Sequence, residues 1–404
     1  MTSRLMEFVW AALLCVVVTL VGQQVQRPIS LNEGRGWDGQ SYYTVAEHLA
    51  QGRQPLAPAP FVYRLGTPAL VAAFYPHDLQ RGFARVNLVG SLVAALLLVL
   101  WLPLHLAQWR VRVALVTLFL VTWHAPLRFL QFYPTYVDPW LFALLLAGLI
   151  ALRRATTNPT VGAATSVTAI ATVGVLFREV VLLVPLAWLI ARPSRRAAVA
   201  LGLGVALFLG IRLVVEPTGH YSFLRAAASA GYGKSLLGFV HSWFIAYGPM
   251  LVIPMVFWRE ALTFLRAHRD LAAFLLGIAV LSWIGGTDTE RIAFWGMPVV
   301  YVLVGRVLET HPRLLQPSLG LLGLSLAQLV SARVFWTLPD VPSATPTPMP
   351  ILTVPANDFQ FLDLYTTHGD KTVLVLSLAG YAVVAILGGL WLHHRAFTTR
   401  NAAR

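Results

Sequence analysis

Uncharged stretches of about 20 residues are the feature that most constrains how this chain can fold, because a helix of that length crosses the hydrocarbon core of a bilayer. Residues 86–109, 235–258, 314–332 and 372–392 contain no Asp, Glu, Lys or Arg. Charged residues make up 12% of the chain, against about 25% in soluble proteins. The chain is therefore predicted to be an all-α, polytopic transmembrane helical bundle.

Apolar blocks recur along the whole sequence and predict about 11–12 spans in a single integral membrane domain over residues 1–404. The first block is interpreted as an uncleaved helix, because no small-residue cleavage site follows it. Residues 161–191 fit either two spans or a hairpin of partial helices. The predicted spans are 8–25, 86–106, 111–124, 136–152, 161–177, 180–191, 197–215, 236–257, 271–284, 292–308, 314–336 and 372–392.

Basic residues are distributed unevenly between alternate loops. One set of loops, together with Arg4, carries 16 basic residues and only four of the 17 carboxylates. Lys and Arg accumulate in cytoplasmic loops, so both termini are predicted to be cytoplasmic in a multi-pass protein of the inner cell membrane. The opposite, extracytoplasmic side contains two long loops, 26–85 and 337–371, and the other 13 carboxylates.

The net charge of +13 does not indicate a nucleic-acid partner. The basic residues lie in short patches between apolar blocks, whereas nucleic-acid binding needs a continuous basic face. The single Cys15 excludes an intrachain disulfide framework.

The first extracytoplasmic loop contains the spacing of an amphipathic helix, which Gly52 is suited to end. On the outer surface such a helix is expected to lie in the membrane interface with its apolar face toward lipid. Asp38 precedes its first turn, and from the residues alone it fits a helix N-cap and an active-site carboxylate equally well. The apolar positions are Tyr42, Val45, Ala46, Leu49 and Ala50.

Several short motifs, taken in order, resemble the GT-C superfamily of polytopic glycosyltransferases, which use lipid-linked sugars. Trp37-Asp38 with Tyr42, followed by Tyr63-Arg64-Leu65-Gly66, is similar to the first outer loop of that superfamily. The remaining motifs are Tyr136-Val137-Asp138-Pro139, Phe177-Arg178-Glu179 and Thr287-Asp288-Thr289-Glu290-Arg291.

The resemblance implies a transferase that moves a sugar from a polyprenyl-phosphate donor to an acceptor hydroxyl of a glycan, lipid or protein on the outer face, with inversion. Asp38 is the expected catalytic base, and arginines are expected to bind the departing phosphate. A divalent metal is compatible with the resemblance, but no Asp-X-Asp or Glu-rich box in the first loop indicates one. The expected substrate-binding residues are Tyr42, Tyr63, Arg64, Asp138, Arg178, Glu179, Asp288 and Arg291.

Each of these residues also has a purely structural interpretation. Asp138 can cap its helix, Arg178 and Glu179 can form a solvated turn pair, and the Asp288–Arg291 loop can be a plain surface turn. His124 and His220 fit interfacial polar groups better than ligands.

Two other functions remain open on the sequence. A transporter or flippase of envelope precursors predicts ionisable residues at mid-membrane depth in broken spans. An envelope-polymer ligase or polymerase predicts an arginine-rich late outer loop, whereas residues 337–371 contain one basic residue, Lys371, and four aspartates.

Overall fold

Helices are the regular elements of this chain throughout the part that the structure describes. The structure is a computed structural model and describes residues 2–219, 222–286, 288–334, 337 and 371–397. The all-α prediction is confirmed for these residues. His220 and the second long loop, apart from its end residues 337 and 371, lie outside them.

Ten α-helices of five residues or more lie between residues 2 and 214, and nine follow among the described residues beyond them. The first ten are α1 Thr2–Val25, α2 Asp38–Ala50, α3 Gly66–Phe74, α4 Leu79–Trp101, α5 Trp109–Val121, α6 Pro126–Phe132, α7 Asp138–Thr157, α8 Val161–Phe177, α9 Leu183–Ala191 and α10 Arg195–Val214. The others are α11 Phe223–Gly233, α12 Leu236–Tyr247, α13 Val252–Val256, α14 Trp258–Ala267, α15 Arg269–Ile284, α16 Thr289–Phe294, α17 Met297–Thr310, α18 Leu319–Ser331 and α19 Lys371–Phe397.

Several of these segments have the length and apolar character of membrane spans, as expected of a multi-pass membrane protein. Six described segments pass both criteria, and a seventh is added if α14 and α15, bent by 114°, form one broken span. The predicted 11–12 spans therefore exceed the number found among the described residues. The six segments are Arg4–Val25, Leu79–Leu104, Trp109–Phe132, Asp138–Thr157, Arg195–Val214 and Leu236–Val256.

Short helices account for part of the difference in number. The predicted spans 161–177 and 180–191 are separate helices, α8 and α9, but neither reaches the length of a full span. The predicted span 236–257 is among the six segments, although Gly248, with φ +68°, ends α12 and Pro249 starts a 3-10 turn before α13. Glycine and proline interrupt helices while leaving the apolar composition of the stretch unchanged.

Helix α2 is the amphipathic helix predicted in the first outer loop. Gly52 has φ +67° and lies just beyond it, so the predicted stop is confirmed. Tyr42 and Ala46 on the apolar face pack against α3 and the start of α4, including Phe83. This face was expected to lie on lipid, but α3 and α4 supply enough apolar surface to bury it against protein.

Helix α7 lies at the centre of the hydrophobic core. It is apolar on most of its surface and packs against α4, α8 and α9. Phe142 of α7 contacts Phe119 of α5 and Phe294 of α16, with ring centroids 6.1 Å and 5.6 Å away. The first residue of α7, Asp138, is therefore held in a fixed position among several helices.

Candidate functional site

An ionic cluster surrounds Asp138 and the first turn of α2. Its members come from the segment between α1 and α4, the start of α7, the segment between α8 and α9, and the start of α16. Seven of the predicted site residues belong to it: Asp38, Arg64, Asp138, Arg178, Glu179, Asp288 and Arg291.

Asp138 is the buried centre of the ionic cluster. Its side chain has no exposed surface, and it forms an ion pair with Arg178. The Tyr136 hydroxyl donates to it at 2.5 Å, and Trp295 Nε1 donates at 3.0 Å. It makes no capping bond to its own helix, so the cap interpretation does not describe it. Because both carboxylate oxygens are engaged, Asp138 holds the site together and has little capacity left for proton transfer.

Arg178 and Glu179 are neighbours in sequence but have different partners. Arg178 is extended, at φ −165° and ψ 134°, so the two side chains leave the backbone in different directions. Arg178 reaches Asp138, while Glu179 accepts two hydrogen bonds from Arg64, at 2.6 Å and 3.2 Å. The solvated turn pair is therefore not what the structure contains.

Arg64 connects the segment between α2 and α3 to Glu179. Besides its bidentate pairing with Glu179, it donates to the Tyr42 hydroxyl at 3.0 Å. Burial opposes its charge, but Glu179 and Tyr42 more than offset that, and the pKa of Arg64 lies above its usual value. Tyr63, by contrast, lies outside the cluster, with its ring 4.4 Å from the guanidinium of Arg212.

The segment 288–291 reaches the cluster through Arg291. Its Nη1 lies 2.9 Å from Asp288 Oδ2, and its Nε lies 3.9 Å from Asp138 Oδ2. That Nε is buried and has no hydrogen-bond partner in the described part of the chain. Glu290 is buried as well, so this segment is not a plain surface turn.

Asp38 is the open carboxylate of the ionic cluster. It is the first residue of α2, partly buried, and makes no capping bond. Within the described residues its carboxylate forms no ion pair and accepts no hydrogen bond. Burial raises the pKa of Asp38 above its usual value, Arg291 lowers it, and Asp288 raises it further. The charge of Asp38 therefore interacts with those of the predicted arginines Arg291, Arg178 and Arg64.

Loop 133–135 fixes the position of Asp38, and sequence reasoning missed it. The Gly39 N–H donates to the Tyr133 hydroxyl at 2.6 Å. A Cβ at Gly39 would lie 2.0 Å from Thr135 Oγ1, so only glycine allows this approach. Burial and the nearby Asp38 together raise the pKa of Tyr133. The glycine directly after Asp38 was the available signal.

Other polar residues differ in their relation to the cluster. His124 is buried beside the rings of Trp123 and Phe294, with centroids 4.4 Å and 5.9 Å away, as an interior side chain rather than an interfacial one. No group of three or more His, Cys, Asp or Glu side chains able to hold a metal occurs among the residues that the structure describes.

Fold and site together define an all-helical protein with several apolar, membrane-length helices and a largely buried ionic cluster. No protein-family model, curated protein or solved structure matches the chain. The geometry of the ionic cluster therefore carries the functional inference.

Proposed function

We propose that the chain is a membrane glycosyltransferase that moves a sugar from a polyprenyl-phosphate donor to an acceptor hydroxyl on the extracytoplasmic face. The proposal rests on a contrast within the ionic cluster. Both carboxylate oxygens of Asp138 have partners, whereas the carboxylate of Asp38 has no ion-pair or hydrogen-bond partner among the described residues. An unengaged carboxylate beside several arginines suits a reaction that needs both a base and cationic partners for a phosphate.

Asp38 is the general base in this proposal. Its carboxylate takes the proton from the acceptor hydroxyl while that oxygen attacks the anomeric carbon of the donor. The bond between the anomeric carbon and the phosphate oxygen breaks, and its electron pair leaves with the phosphate. A single displacement inverts the anomeric centre. The raised pKa of Asp38 supports this role, because a base works best when its pKa approaches the operating pH.

Arginines of the cluster are the proposed partners of the departing phosphate. Each is already paired with a carboxylate, which orients its guanidinium before the donor binds. Arg291 and Arg178 each keep a buried Nε without a hydrogen-bond partner among the described residues. Arg291 is our first choice, because it is one-fifth exposed and is the largest electrostatic influence among the charges around Asp38.

The membrane arrangement belongs to the same proposal. We place the ionic cluster outside, both termini in the cytoplasm, and α2 close to the outer interface in a GT-C-like bundle of about 11–12 spans. Nucleotide sugars are cytosolic, so an enzyme working on the outer face takes its sugar from a lipid carrier. The basic loops on the opposite side support this orientation.

A transporter or flippase is the second candidate. The interruptions between α12 and α13 and between α16 and α17 are the observation in its favour, because broken helices form the substrate sites of many transporters. Lipid flipping by the purified protein in liposomes, without sugar transfer, would support this function over the enzyme.

The decisive experiment replaces Asp38 with Asn. Sugar transfer from a labelled polyprenyl-phosphate sugar is measured in membranes that contain the protein. We expect Asp38→Asn to lower the rate by about 10²–10⁴-fold, the usual contribution of a general base. Glu47→Gln is the matched control, because Glu47 is an exposed carboxylate on the same helix and should leave the rate unchanged. Near-full activity of the Asn variant would remove Asp38 from the mechanism.

A further inference from the structure

A cavity lies at the end of α15 opposite to the ionic cluster. It has a volume of about 630 Å³, typical of ligand sites, and lies between α14, His268 and the end of α17. Helix α15 contains 16 residues and so spans about 24 Å from this cavity to the loop that carries Asp288. We call it the α14–α17 cavity after the two helices that line it. None of its lining residues belongs to the ionic cluster.

Basic side chains dominate the polar lining of the α14–α17 cavity. Arg259 and Arg306 both line it. Arg259 has no carboxylate within ion-pair distance among the described residues, and Arg306 lies 3.7 Å from Glu309. The one lining carboxylate, Glu260, is already bound by His311 at 2.8 Å and by Thr310 at 3.1 Å. Arg259 is therefore a positive charge on the cavity wall that no carboxylate within ion-pair distance offsets among the described residues.

The remaining wall is apolar, and the same helix α14 carries exposed apolar side chains. Phe264, Leu303 and Val307 line the interior. On the exposed face of α14, Trp258 is 54% exposed and Leu262 is 38% exposed. A short helix bent by 114° from an apolar one, with tryptophan and arginine side by side, is typical of the interface between lipid and water.

We propose that the α14–α17 cavity binds the headgroup of an anionic phospholipid, with its phosphate between Arg259 and Arg306 and its acyl chains along Trp258 and Leu262. The charge selects an anion, and the adjoining exposed apolar residues select a lipid over a soluble phosphate. This site is independent of the proposed glycosyl transfer, because it shares no residue with the ionic cluster.

Native mass spectrometry of the full chain, titrated with phosphatidylglycerol or phosphatidylcholine in mixed micelles, tests the proposal. We expect the wild type to retain phosphatidylglycerol preferentially. The double variant Arg259→Gln, Arg306→Gln should bind it about 30-fold more weakly, and Arg259→Gln alone about fivefold more weakly. The single variant provides the result if the double variant does not fold.

Arg266→Gln is the matched control, because Arg266 is exposed on the same helix but does not line the cavity. It should retain wild-type affinity for phosphatidylglycerol. Equal weakening in the Arg266→Gln and Arg259→Gln variants would overturn the proposal in favour of diffuse surface charge. Equal retention of the two lipids by the wild type would also overturn it. Displacement of phosphatidylglycerol by inorganic phosphate at equal concentration would assign the cavity to a soluble anion instead.

Discussion

Two aspartates of the same cluster have opposite environments. Asp138 is fully buried and engaged by Arg178, Tyr136 and Trp295, whereas Asp38 is partly buried and open. Both are the first residue of a helix, and the sequence gives both a capping interpretation. What separates them is their partners, and Trp295 is 157 residues away from Asp138. Local sequence cannot report such a distant contact.

The activity of the proposed enzyme should depend on pH through Asp38. A base must be ionised, so kcat/KM should fall as the pH drops through the raised pKa of Asp38, at higher pH than for an ordinary carboxylate. Arg291 lowers this pKa and Asp288 raises it. We therefore expect Arg291→Gln to move the acid limb of the profile to higher pH, and Asp288→Asn to move it to lower pH.

The position of the acid limb, rather than the height of the profile, is the quantity to compare, because Arg291 also has a proposed role with phosphate.

The raised pKa of Asp38 should also affect the stability of the fold. A carboxyl whose pKa is raised on folding disfavours the folded state once the pH exceeds its unfolded pKa. Asp38→Asn should thus leave the protein equally or more stable at neutral pH. For the pH profiles, shifts of the acid limb in the same direction in Arg291→Gln and Asp288→Asn would contradict the proposed arrangement of charges around Asp38.

The positions of the helices could largely be predicted from the sequence, whereas the tertiary contacts between them could not. The amphipathic pattern correctly predicted α2, and Gly52 its end, because both depend on local spacing and backbone conformation. Hydropathy predicted spans 236–257 and 292–308. The first keeps the length of a span but contains a break, and the second is divided between α16 and α17. The rule counts apolar residues, whereas the break at Gly248 and Pro249 arises from backbone geometry. The buried face of α2 depended on α3, a tertiary partner.

Asp138 joins three elements, so its replacement should cost stability. Asp138→Asn leaves Arg178 buried without its charge partner at the junction of α7, the segment before α9 and the start of α16. Breaking a buried ion pair in this way costs about 3–5 kcal/mol. Chemical denaturation of the purified protein measures the loss in the free energy of unfolding.

Asp78→Asn is the control for that measurement. Asp78 caps α4 at the Arg81 N–H, and asparagine caps a helix equally well, so stability should be unchanged. A loss below about 1 kcal/mol for Asp138→Asn would mean that the buried pair contributes little, as exposed pairs do.

On the scale of the whole molecule, the two ends of α15 should face opposite sides of the membrane. The ionic cluster lies near its last residue and the α14–α17 cavity near its first, about 24 Å apart, close to the roughly 30 Å thickness of a hydrocarbon core. The basic loops predict that the cavity is cytoplasmic. The enzyme proposal requires the cluster to be outside, where a lipid carrier is the sugar source.

Cysteine labelling in intact cells tests this orientation. In a Cys15→Ser background, we expect a membrane-impermeant maleimide to label Glu47→Cys directly and Arg266→Cys only after permeabilisation, since both positions are exposed in the structure. Labelling of Glu47→Cys only after permeabilisation would place α2 in the cytosol. Asp38 would then face soluble nucleotide sugars, and the requirement for a polyprenyl-phosphate donor would disappear even if Asp38 still acted as a base.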